Sequence, residues 1–425
     1  MQNKWVKNYS QIATTKNRET VLEIISSGLD SINTKEIILN TVKLENNILS
    51  IQGTDFDLNN FEKIKVIGFG KASCDAAEAL EQALGEKIKE GAVIGLNTAT
   101  CNLIQSFAGS HPRPSHLNII PGKTIYDLAN NATEKDLVIV VVSGGGSALL
   151  CYPESECIQG EKLYDHFLKS GQTIVEMNTV RKHLSLLKGG GLAKIIYPAT
   201  VIGLIFSDVP GDDFGEVASG PTFKDTTTIQ DAKDIITKYN LGEFDLNETP
   251  KEDKYFEKVH NFICVSNKTI VESMAQKVES LGLKAKVIST DLYNEVNVSL
   301  KQIFDAREEN TVVLAAGEPK LKVSGDKGSG GRNLYMALKA IENNGFTDGE
   351  VFVSLASDGM DNSNSAGAIV DKETISKIHK LNLNIENHLK DFNAYPVFEK
   401  SEDMIMTGPT GANVSDVMIL FNKND

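Results

Sequence analysis

Residues 138–150 decide the fold, and they read Val-Ile-Val-Val-Val-Ser-Gly-Gly-Gly-Ser-Ala-Leu-Leu. Five consecutive β-branched residues predict a buried parallel strand, and the three glycines predict a turn whose backbone N–H groups converge without Cβ atoms in the way. Such a turn suits an anion, and a helix starting at Ser147 would direct its positive end at the same place. A turn without a ligand is the alternative for this one motif.

Length, charge and cysteine content limit the class of protein. A chain of 425 residues exceeds one comfortable core, so we expect two domains, residues 1–240 and 241–425. A formal net charge of -14 argues against nucleic acid or an anionic membrane as partners. We expect a cytoplasmic protein, because the N-terminus lacks the apolar core of a signal peptide and five cysteines without a C-x-x-C pair fit reduced thiols. A homodimer is one assembly it could form.

A second glycine turn, Gly68-Phe-Gly70-Lys71, follows an apolar strand-like run. It is not a P-loop, since Lys65 stands where the first glycine belongs, and it is not a dinucleotide fingerprint, since Ser73 replaces the third glycine. Lys71 therefore stands at the mouth of an anion-binding turn, with a solvated surface lysine as the alternative.

A polar and basic stripe is predicted on a helix around residue 180. Its members recur three and four residues apart: Asn178, Arg181, Ser185 and Lys188. The stripe has no carboxylate of its own to pair its charges, and the helix is expected to stop at three glycines, 189–191. Such a stripe is either the solvated side of the helix or an anion-binding surface.

Aspartates at the ends of apolar strands predict a Mg²⁺ site. Asp208 follows one such run, and Asp358 and Asp361 follow another. Mg²⁺ takes one or two protein carboxylates and fills its other positions with water and phosphate oxygens. Asp208 is the first choice, and an aspartate that only forms a turn is the alternative.

The second half of the chain has a different composition. Residues 224–258 are polar and charged, which predicts the crossing between domains, and from Asn261 strands and helices alternate again, which predicts a second α/β domain. In that domain Gly330-Gly-Arg332-Asn333 opens a helix. An arginine flanked by glycines offers a phosphate two parallel guanidinium donors beside backbone N–H groups.

Nine motifs, in order from about Ile67 to Val417, resemble a known family. They are Gly68-Phe-Gly-Lys-Ala-Ser, His111-Pro, Ser143-Gly-Gly-Gly-Ser-Ala-Leu-Leu, Asn178-Thr-Val-Arg-Lys-His-Leu-Ser, Ser207-Asp-Val-Pro-Gly-Asp-Asp, Ala218-Ser-Gly-Pro-Thr, Gly330-Gly-Arg-Asn, Ser357-Asp-Gly and Thr407-Gly-Pro-Thr-Gly-Ala-Asn. Together they resemble the two-domain glycerate 2-kinases, the MOFRL family. The resemblance implies an α/β fold with a Rossmann-like N-terminal domain, a smaller α/β C-terminal domain and an active site in the cleft between them.

The resemblance also implies ATP and Mg²⁺, with Lys71 and Arg332 as catalytic, phosphate-handling cations beside the catalytic candidate Asp208. The metal candidates are Asp208, Asp358 and Asp361. The residues expected to bind substrate or nucleotide are Gly70, Ser143, Gly144, Gly145, Gly146, Ser147, Asn178, Arg181, Lys188, Glu318, Asn333, Thr410 and Asn413.

The function expected is ATP-dependent phosphorylation of D-glycerate to 2-phosphoglycerate. The alternatives are a kinase of another small hydroxy acid, an NAD(P)H-dependent hydroxypyruvate reductase and a noncatalytic sugar-phosphate sensor. The broken dinucleotide fingerprint argues against the reductase. Departures from the family pattern, such as Ala316-Gly-Glu-Pro-Lys320 in place of the usual Gly-Gly-Glu-Thr-Thr, and Arg113 in place of a small apolar residue, concern the acceptor more than the phosphoryl chemistry.

Overall fold

The computed structural model describes residues 3–170, 173–209, 213–323, 328–343, 345–412 and 414–423. The chain forms two compact units. The central unit is Thr34–Val265, and the terminal unit combines Met1–Asn33 with Ser266–Asp425. Among the described residues, no helix has both the length and the apolar character that crossing a bilayer requires.

The elements are numbered along the chain. The helices are α1 (Tyr9–Ile12), α2 (Lys16–Ser31), α3 (Thr34–Thr41), α4 (Ser73–Leu84), α5 (Ile119–Asn130), α6 (Gly146–Leu149), α7 (Glu154–Ser170), α8 (Ile174–Leu184), α9 (Gly191–Ile196), α10 (Ile229–Lys238), α11 (Asn267–Ser280), α12 (Val296–Asp305), α13 (Arg332–Asn343), α14 (Lys372–Lys380), α15 (Ile385–Lys390) and α16 (Tyr395–Ser401). The strands are β1 (Val42–Glu45), β2 (Ile48–Ile51), β3 (Thr54–Asp57), β4 (Lys63–Phe69), β5 (Ile88–Gly95), β6 (Ile104–Ala108), β7 (Asp136–Ser143), β8 (Thr200–Phe206), β9 (Val259–Val265), β10 (Lys284–Ser289), β11 (Thr311–Gly317), β12 (Glu350–Ala356), β13 (Gly367–Val370), β14 (Met404–Ile405) and β15 (Asp416–Asn422).

The central unit is built on a parallel sheet of order β6-β5-β4-β7-β8-β9. Taken in chain order, its strands lie 3-2-1-4-5-6, which is the doubly wound, Rossmann-like arrangement, and the order reverses between β4 and β7. Every residue of β7 is buried, which explains why its sequence is an unbroken apolar run instead of an alternating one. The predicted Rossmann-like domain is therefore confirmed.

One face of the central sheet packs against α5 and α9. Ile67 and Phe69 of β4 and Val140 of β7 share a buried apolar cluster with Ile125 of α5 and Ile196 of α9. Each such side chain contributes about 1.5–3 kcal/mol when fully buried. This core holds the carboxyl ends of β4 and β7 side by side. A separate antiparallel sheet, β1-β2-β3, precedes it in the chain.

The terminal unit is built on a mixed sheet of order β10-β11-β15-β12-β13-β14. Only β10 and β11 pair in parallel, while the remaining neighbours are antiparallel. A buried apolar cluster joins the sheet to its helices, with Leu334 and Leu338 of α13 beside Phe352 of β12. This is the expected second α/β domain.

A buried arginine of helix α2 forms ion pairs with two aspartates elsewhere in the terminal unit. The Arg18 side chain is 0% exposed, with Nε 2.6 Å from Asp371 Oδ2 and Nη1 2.8 Å from Asp403 Oδ1. Close packing adds to this, since a Cβ on Gly28 would lie 2.4 Å from Cε of Met274 in α11. The first helices therefore belong to the terminal unit although the sequence places them next to the central one.

The boundary predicted between residues 240 and 241 differs from the division in the structure. Strand β9 pairs with β8 in the central sheet, although the sequence pattern assigned residues from Asn261 to the second domain. The segment predicted as a crossing contains α10 and is anchored inside the central unit by Asp225, whose carboxylate lies 3.3 Å from Lys182 Nζ. Apolar periodicity identifies a strand but not the sheet it joins, because its pairing partners are distant in sequence.

Candidate active site

Polar residues gather where the strand order of the central sheet reverses. Open parallel sheets bind ligands at this position, in the crevice outside the carboxyl ends of the strands. Gly70 and Lys71 follow β4, and the turn 144–146 follows β7. The Lys71 N–H donates to the Gly144 carbonyl at 2.9 Å, so the two glycine turns predicted from sequence lie together.

The two turns contact each other too closely for side chains. Gly70 has a φ of +113°, and a Cβ there would lie 2.2 Å from Ser143 Oγ and 2.4 Å from the Ser143 carbonyl oxygen. Ser143 Oγ accepts from the Ala72 N–H at 3.1 Å and is buried. Gly70 and Ser143 thus determine how closely the two turns pack.

Three polar side chains lie against the central glycines. A Cβ on Gly144 would lie 2.0 Å from Asp208 Oδ2. A Cβ on Gly145 would lie 3.0 Å from His111 Cδ2 and 3.4 Å from Lys71 Cγ. The turn therefore has a carboxylate against one glycine and a lysine and a histidine against the next. The sequence signal for His111 was the His-Pro motif after β6, whose His111 and Arg113 could contact an anion or could belong to a loop with a structural role only.

A chain of hydrogen bonds extends from the turn to α8. Ser147 Oγ lies 2.9 Å from Ser219 Oγ, and Ser219 donates to Asn178 Oδ1 at 3.2 Å. Arg181 Nη1 donates to the same Asn178 oxygen at 3.4 Å, and Asn178 Nδ2 donates to Glu216 at 3.0 Å. Ser219 thus connects the predicted residues Ser147, Asn178 and Arg181. In the sequence analysis Ser219 appeared only as part of the motif Ala218-Ser-Gly-Pro-Thr.

The terminal unit has its own charged cluster at the ends of three strands. Gly317 of β11 and Ala356 of β12 both lie in register with Asp416 of β15. Arg332, the first residue of α13, donates from Nε to Asp416 Oδ2 at 2.6 Å, and its Nη2 lies 3.2 Å from Glu318 Oε2. The strand ends therefore bring together Arg332 and Glu318, which were predicted, and Asp416, which was missed.

Burial sets the protonation of this cluster. Burial raises the pKa of Asp416 to about 7, against the opposite effect of Arg332. Burial alone would lower the pKa of Arg332, but Asp416 and Glu318 outweigh it and hold the pKa above its ordinary value. The guanidinium is therefore a permanent cation, with one buried carboxylate and one half-exposed carboxylate against it.

Comparison with known proteins identifies the family. Residues 20–250 match the family described as Domain of unknown function (DUF4147), and residues 311–416 match the MOFRL family. A glycerate 2-kinase from Pyrococcus horikoshii is 35% identical, covering 95% of this chain and 96% of its own length. The chain belongs to the glycerate 2-kinase family.

The fold agrees with that family. The crystal structure of a glycerate kinase from Thermotoga maritima, 29% identical, matches this glycerate 2-kinase family member with a TM-score of 0.81, covering 95% of this chain and 99% of that one. A relative from Agrobacterium vitis, 32% identical over 84% of this chain and 86% of its own length, has a provisional hydroxypyruvate reductase name. The resemblance inferred from the motifs is confirmed.

The predicted helix after the central glycine turn is much shorter than expected. Helix α6 spans only Gly146–Leu149, and the backbone is extended at Leu150. One turn supplies little of the aligned dipole that a longer helix would direct at an anion. In this glycerate 2-kinase family member, an anion at the turn would therefore be bound by the turn's own N–H groups and the neighbouring side chains, with little help from a helix dipole.

The predicted basic stripe is only partly formed. Helix α8 ends at Leu184, so Ser185 and Lys188 lie beyond it and the three glycines do not end it. Lys188 is 1% exposed, and its ammonium group donates to the Leu150 carbonyl at 2.5 Å and to the Glu156 carboxylate. The expectation of unpaired charges is wrong for Lys188, because its partner comes from a different helix.

Asp361 caps a helix in this structure. Its Oδ1 accepts from the Asn333 N–H at 2.9 Å, and its Oδ2 accepts from the Leu334 N–H at 2.7 Å. The Asn333 side chain is 1% exposed and accepts from Ser354 Oγ at 2.6 Å. These contacts stabilise the start of α13, so neither side chain has the accessible ligand-binding position that the sequence suggested.

The remaining predicted residues of the terminal unit lie in turns. Asp358 Oδ1 accepts from the Met360 N–H at 3.0 Å, and Thr410 Oγ1 donates to the Ser357 carbonyl at 2.6 Å. Asn413 lies outside the described residues. Within the described residues no group of three or more His, Cys, Asp or Glu side chains is arranged to hold a metal ion. Mg²⁺ binding by Asp208 or Asp358 stays a prediction.

Proposed function

We propose that the protein, an enzyme of the glycerate 2-kinase family, transfers the γ-phosphoryl group of ATP to the 2-hydroxyl of D-glycerate and forms 2-phosphoglycerate. The observation that carries the proposal is the position of Lys71 and Asp208 against adjacent glycines of the turn after β7. A kinase needs a nucleotide substrate, and this turn lies where doubly wound sheets bind one. The family relatives named glycerate 2-kinase support the acceptor.

Phosphoryl transfer requires positioning and cations more than covalent chemistry by the protein. Lys71 neutralises charge on the phosphoryl oxygens, and the glycines let backbone N–H groups approach them. Asp208, on the other side of the turn, orients the acceptor hydroxyl and takes its proton. Arg332 is the second cation proposed for the transferring group.

The donor set around Asp208 fits Mg²⁺. A half-buried carboxylate beside a phosphate-binding turn is the kind of single protein ligand with which Mg²⁺ joins nucleotide phosphates. When bound, Mg²⁺ would neutralise charge on the β- and γ-phosphates. One carboxylate oxygen of Asp208 would hold it, together with oxygens of ATP and water, which leaves the other oxygen to accept the proton of the acceptor hydroxyl.

A product assay tests the proposal. The pure protein is incubated with ATP, Mg²⁺ and a panel of hydroxy acids, and the product is identified by phosphorus NMR. We expect 2-phosphoglycerate from D-glycerate, loss of turnover in Lys71→Ala, and normal turnover in the matched control Lys63→Ala, which removes an exposed lysine at the opposite end of β4. The proposal would be contradicted if the protein turned over no ATP with any of the acids.

The reductase name of one relative gives the alternative a concrete test. A dinucleotide turn requires a third glycine for close packing of helix and strand. Here Ser73 occupies that position and is fully buried, and its single hydroxyl proton is shared between the carbonyls of Gly70 at 2.8 Å and Ile94 at 2.7 Å. Oxidation of NADH by hydroxypyruvate, without ATP turnover, would favour the reductase.

A further inference from the structure

Arg181 differs from every other arginine of the chain. The chain has five arginines, and within the described residues Arg181 is the only one without a carboxylate in ion-pair range. The others pair with Asp371 and Asp403 (Arg18), Glu161 and Asp165 (Arg113), Glu350 (Arg307), and Glu318 and Asp416 (Arg332). The contact of Arg181 to Asn178, at 3.4 Å, is long for a hydrogen bond from nitrogen to oxygen.

Arg181 is partly exposed and has no ion-pair partner among the described residues. Desolvation lowers the pKa of its guanidinium to about 10, and Glu156, whose carboxylate is paired with Lys188, offsets only part of that effect. The nearby carboxylate of Glu216 is used by others, as it lies 2.5 Å from Lys182 Nζ and accepts from Asn178. A guanidinium kept mainly for packing would be expected to have such a partner. The partly exposed Arg181 guanidinium is therefore available to an anionic ligand.

The charge balance defines the class of ligand. Lys182 pairs with Glu216 and Asp225, and Lys188 pairs with Glu156, so within the described residues none of these carboxylates forms an ion pair with Arg181. A single guanidinium matches a monoanion and falls short of the several charges of a nucleoside triphosphate. A planar carboxylate accepts the two parallel donors that a guanidinium presents.

The position of Arg181 places such a carboxylate beside the glycine turn. The hydrogen-bond chain from Ser147 through Ser219 and Asn178 ends at the Arg181 guanidinium. Ser147 directly follows the three glycines whose neighbours are Lys71 and Asp208. A 2-hydroxy acid has its hydroxyl and carboxylate on adjacent carbons, so one molecule can present its hydroxyl to the turn and its carboxylate to Arg181.

We propose that Arg181, held by Asn178 and Ser219, binds the carboxylate of the acceptor acid and is the residue that selects acids over neutral alcohols. The proposal rests on the proposed function for the identity of the acceptor, but the carboxylate site is defined by the unpaired guanidinium itself.

Kinetics on two acceptors of equal size test the proposal. D-glycerate and its neutral amide are compared in the wild type, Arg181→Met and the control Lys123→Met, which removes an exposed lysine already paired with a carboxylate. Losing a hydrogen-bonded charge contact costs about 10- to 100-fold in affinity. We expect Arg181→Met to raise KM for D-glycerate by about that factor, to leave KM for the amide and the Kd of ATP unchanged, and to reduce discrimination between the acceptors accordingly. Lys123→Met should change none of these.

Thermal unfolding separates binding from structure. Replacing a partly exposed charge that has no ion-pair partner by an apolar side chain of similar length removes no ion pair from the fold, so the Tm of Arg181→Met without ligand should change little. A large fall in Tm with unchanged KM, or a loss of ATP affinity instead of acid affinity, would overturn the proposal. If no acid is phosphorylated, the stabilisation of the wild type by D-glycerate and its loss in Arg181→Met still test the carboxylate site, so failure of the proposed function is distinguishable from failure of this one.

Discussion

Replacing Gly144 by alanine tests whether Asp208 acts from the position seen in the structure. The new Cβ would lie 2.0 Å from Asp208 Oδ2 and 2.6 Å from its Cγ. Ordinary contacts between such atoms are about 3.5 Å, so the carboxylate must withdraw by more than about 1 Å. The obstacle is the end of a flexible side chain, and Gly144 is not among the glycines with positive φ, so the fold should tolerate the methyl group.

The expected effect is on turnover. A misplacement of about 1 Å in a reacting group costs on the order of 10²-fold in rate, and loss of a general base costs about 10²- to 10⁴-fold. We therefore expect kcat of Gly144→Ala to fall by about 10²-fold, with small changes in KM and Tm.

A double-mutant cycle provides the assay. ADP release is measured for the wild type, Gly144→Ala, Asp208→Ala and the double variant. When Asp208 is already alanine, the methyl group added at position 144 meets no carboxylate, so it should change kcat little. The coupling free energy between the two substitutions should then approach the value of the full 10²-fold effect, about 2.7 kcal/mol. Wild-type kcat in Gly144→Ala, or additive losses in the double variant, would refute the reasoning. Gly70→Ala is the contrasting control, because its Cβ meets the Ser143 backbone and should destabilise the fold.

The remaining predictions concern the terminal unit. Arg332→Lys keeps the charge but loses the guanidinium fork, so kcat should fall by on the order of 10³-fold while the Kd of ATP changes far less; a stable and fast Arg332→Ala enzyme would exclude this role. Asp361→Ala removes the cap of α13 and should lower the free energy of unfolding by about 1 kcal/mol, with the Mg²⁺ concentration for half-maximal rate unchanged; a shifted Mg²⁺ dependence would restore the metal role. Arg18→Met leaves the buried Asp371 without an ion-pair partner, while Asp403 keeps Lys377, and should cost about 3–5 kcal/mol in urea unfolding. Burial alone would raise the pKa of Asp371, but Arg18 holds it below its ordinary value, so this stabilisation is present above about pH 4 and is lost as pH falls further. The free energy of unfolding of Arg18→Met should not show this loss at acid pH. A pH dependence unchanged from the wild type would contradict the stabilising role of the Arg18–Asp371 pair.

The sequence located the turns of the central unit because their signals are local. A β-branched run followed by glycines predicts both a buried strand and a close-packed turn without reference to the rest of the chain, and β7 and its turn have that form. Lys71 and Asp208 were predicted as site residues for the same reason, since each closely follows a strand-like run. The parallel order of the strands then brings these turns to one crevice.

The sequence could not assign partners to charged side chains. Arg181 and Lys188 looked alike as members of one basic stripe, but the structure pairs Lys188 with Glu156, which is 32 residues away, and leaves Arg181 unpaired. Arg18 meets Asp371 across 353 residues. Whether a charged side chain stabilises the fold or is available to bind a ligand depends on which groups surround it after folding.

By itself, the sequence determined the α/β class, the glycine turns and the family, because backbone freedom and apolar burial are properties of short segments. Only the tertiary structure decided where the two units divide, that Asp361 caps a helix, that Asp416 holds Arg332 and that Arg181 lacks a counter-charge. Each of these depends on contacts between segments far apart in the chain, and such contacts exist only once the strands have paired and the helices have packed.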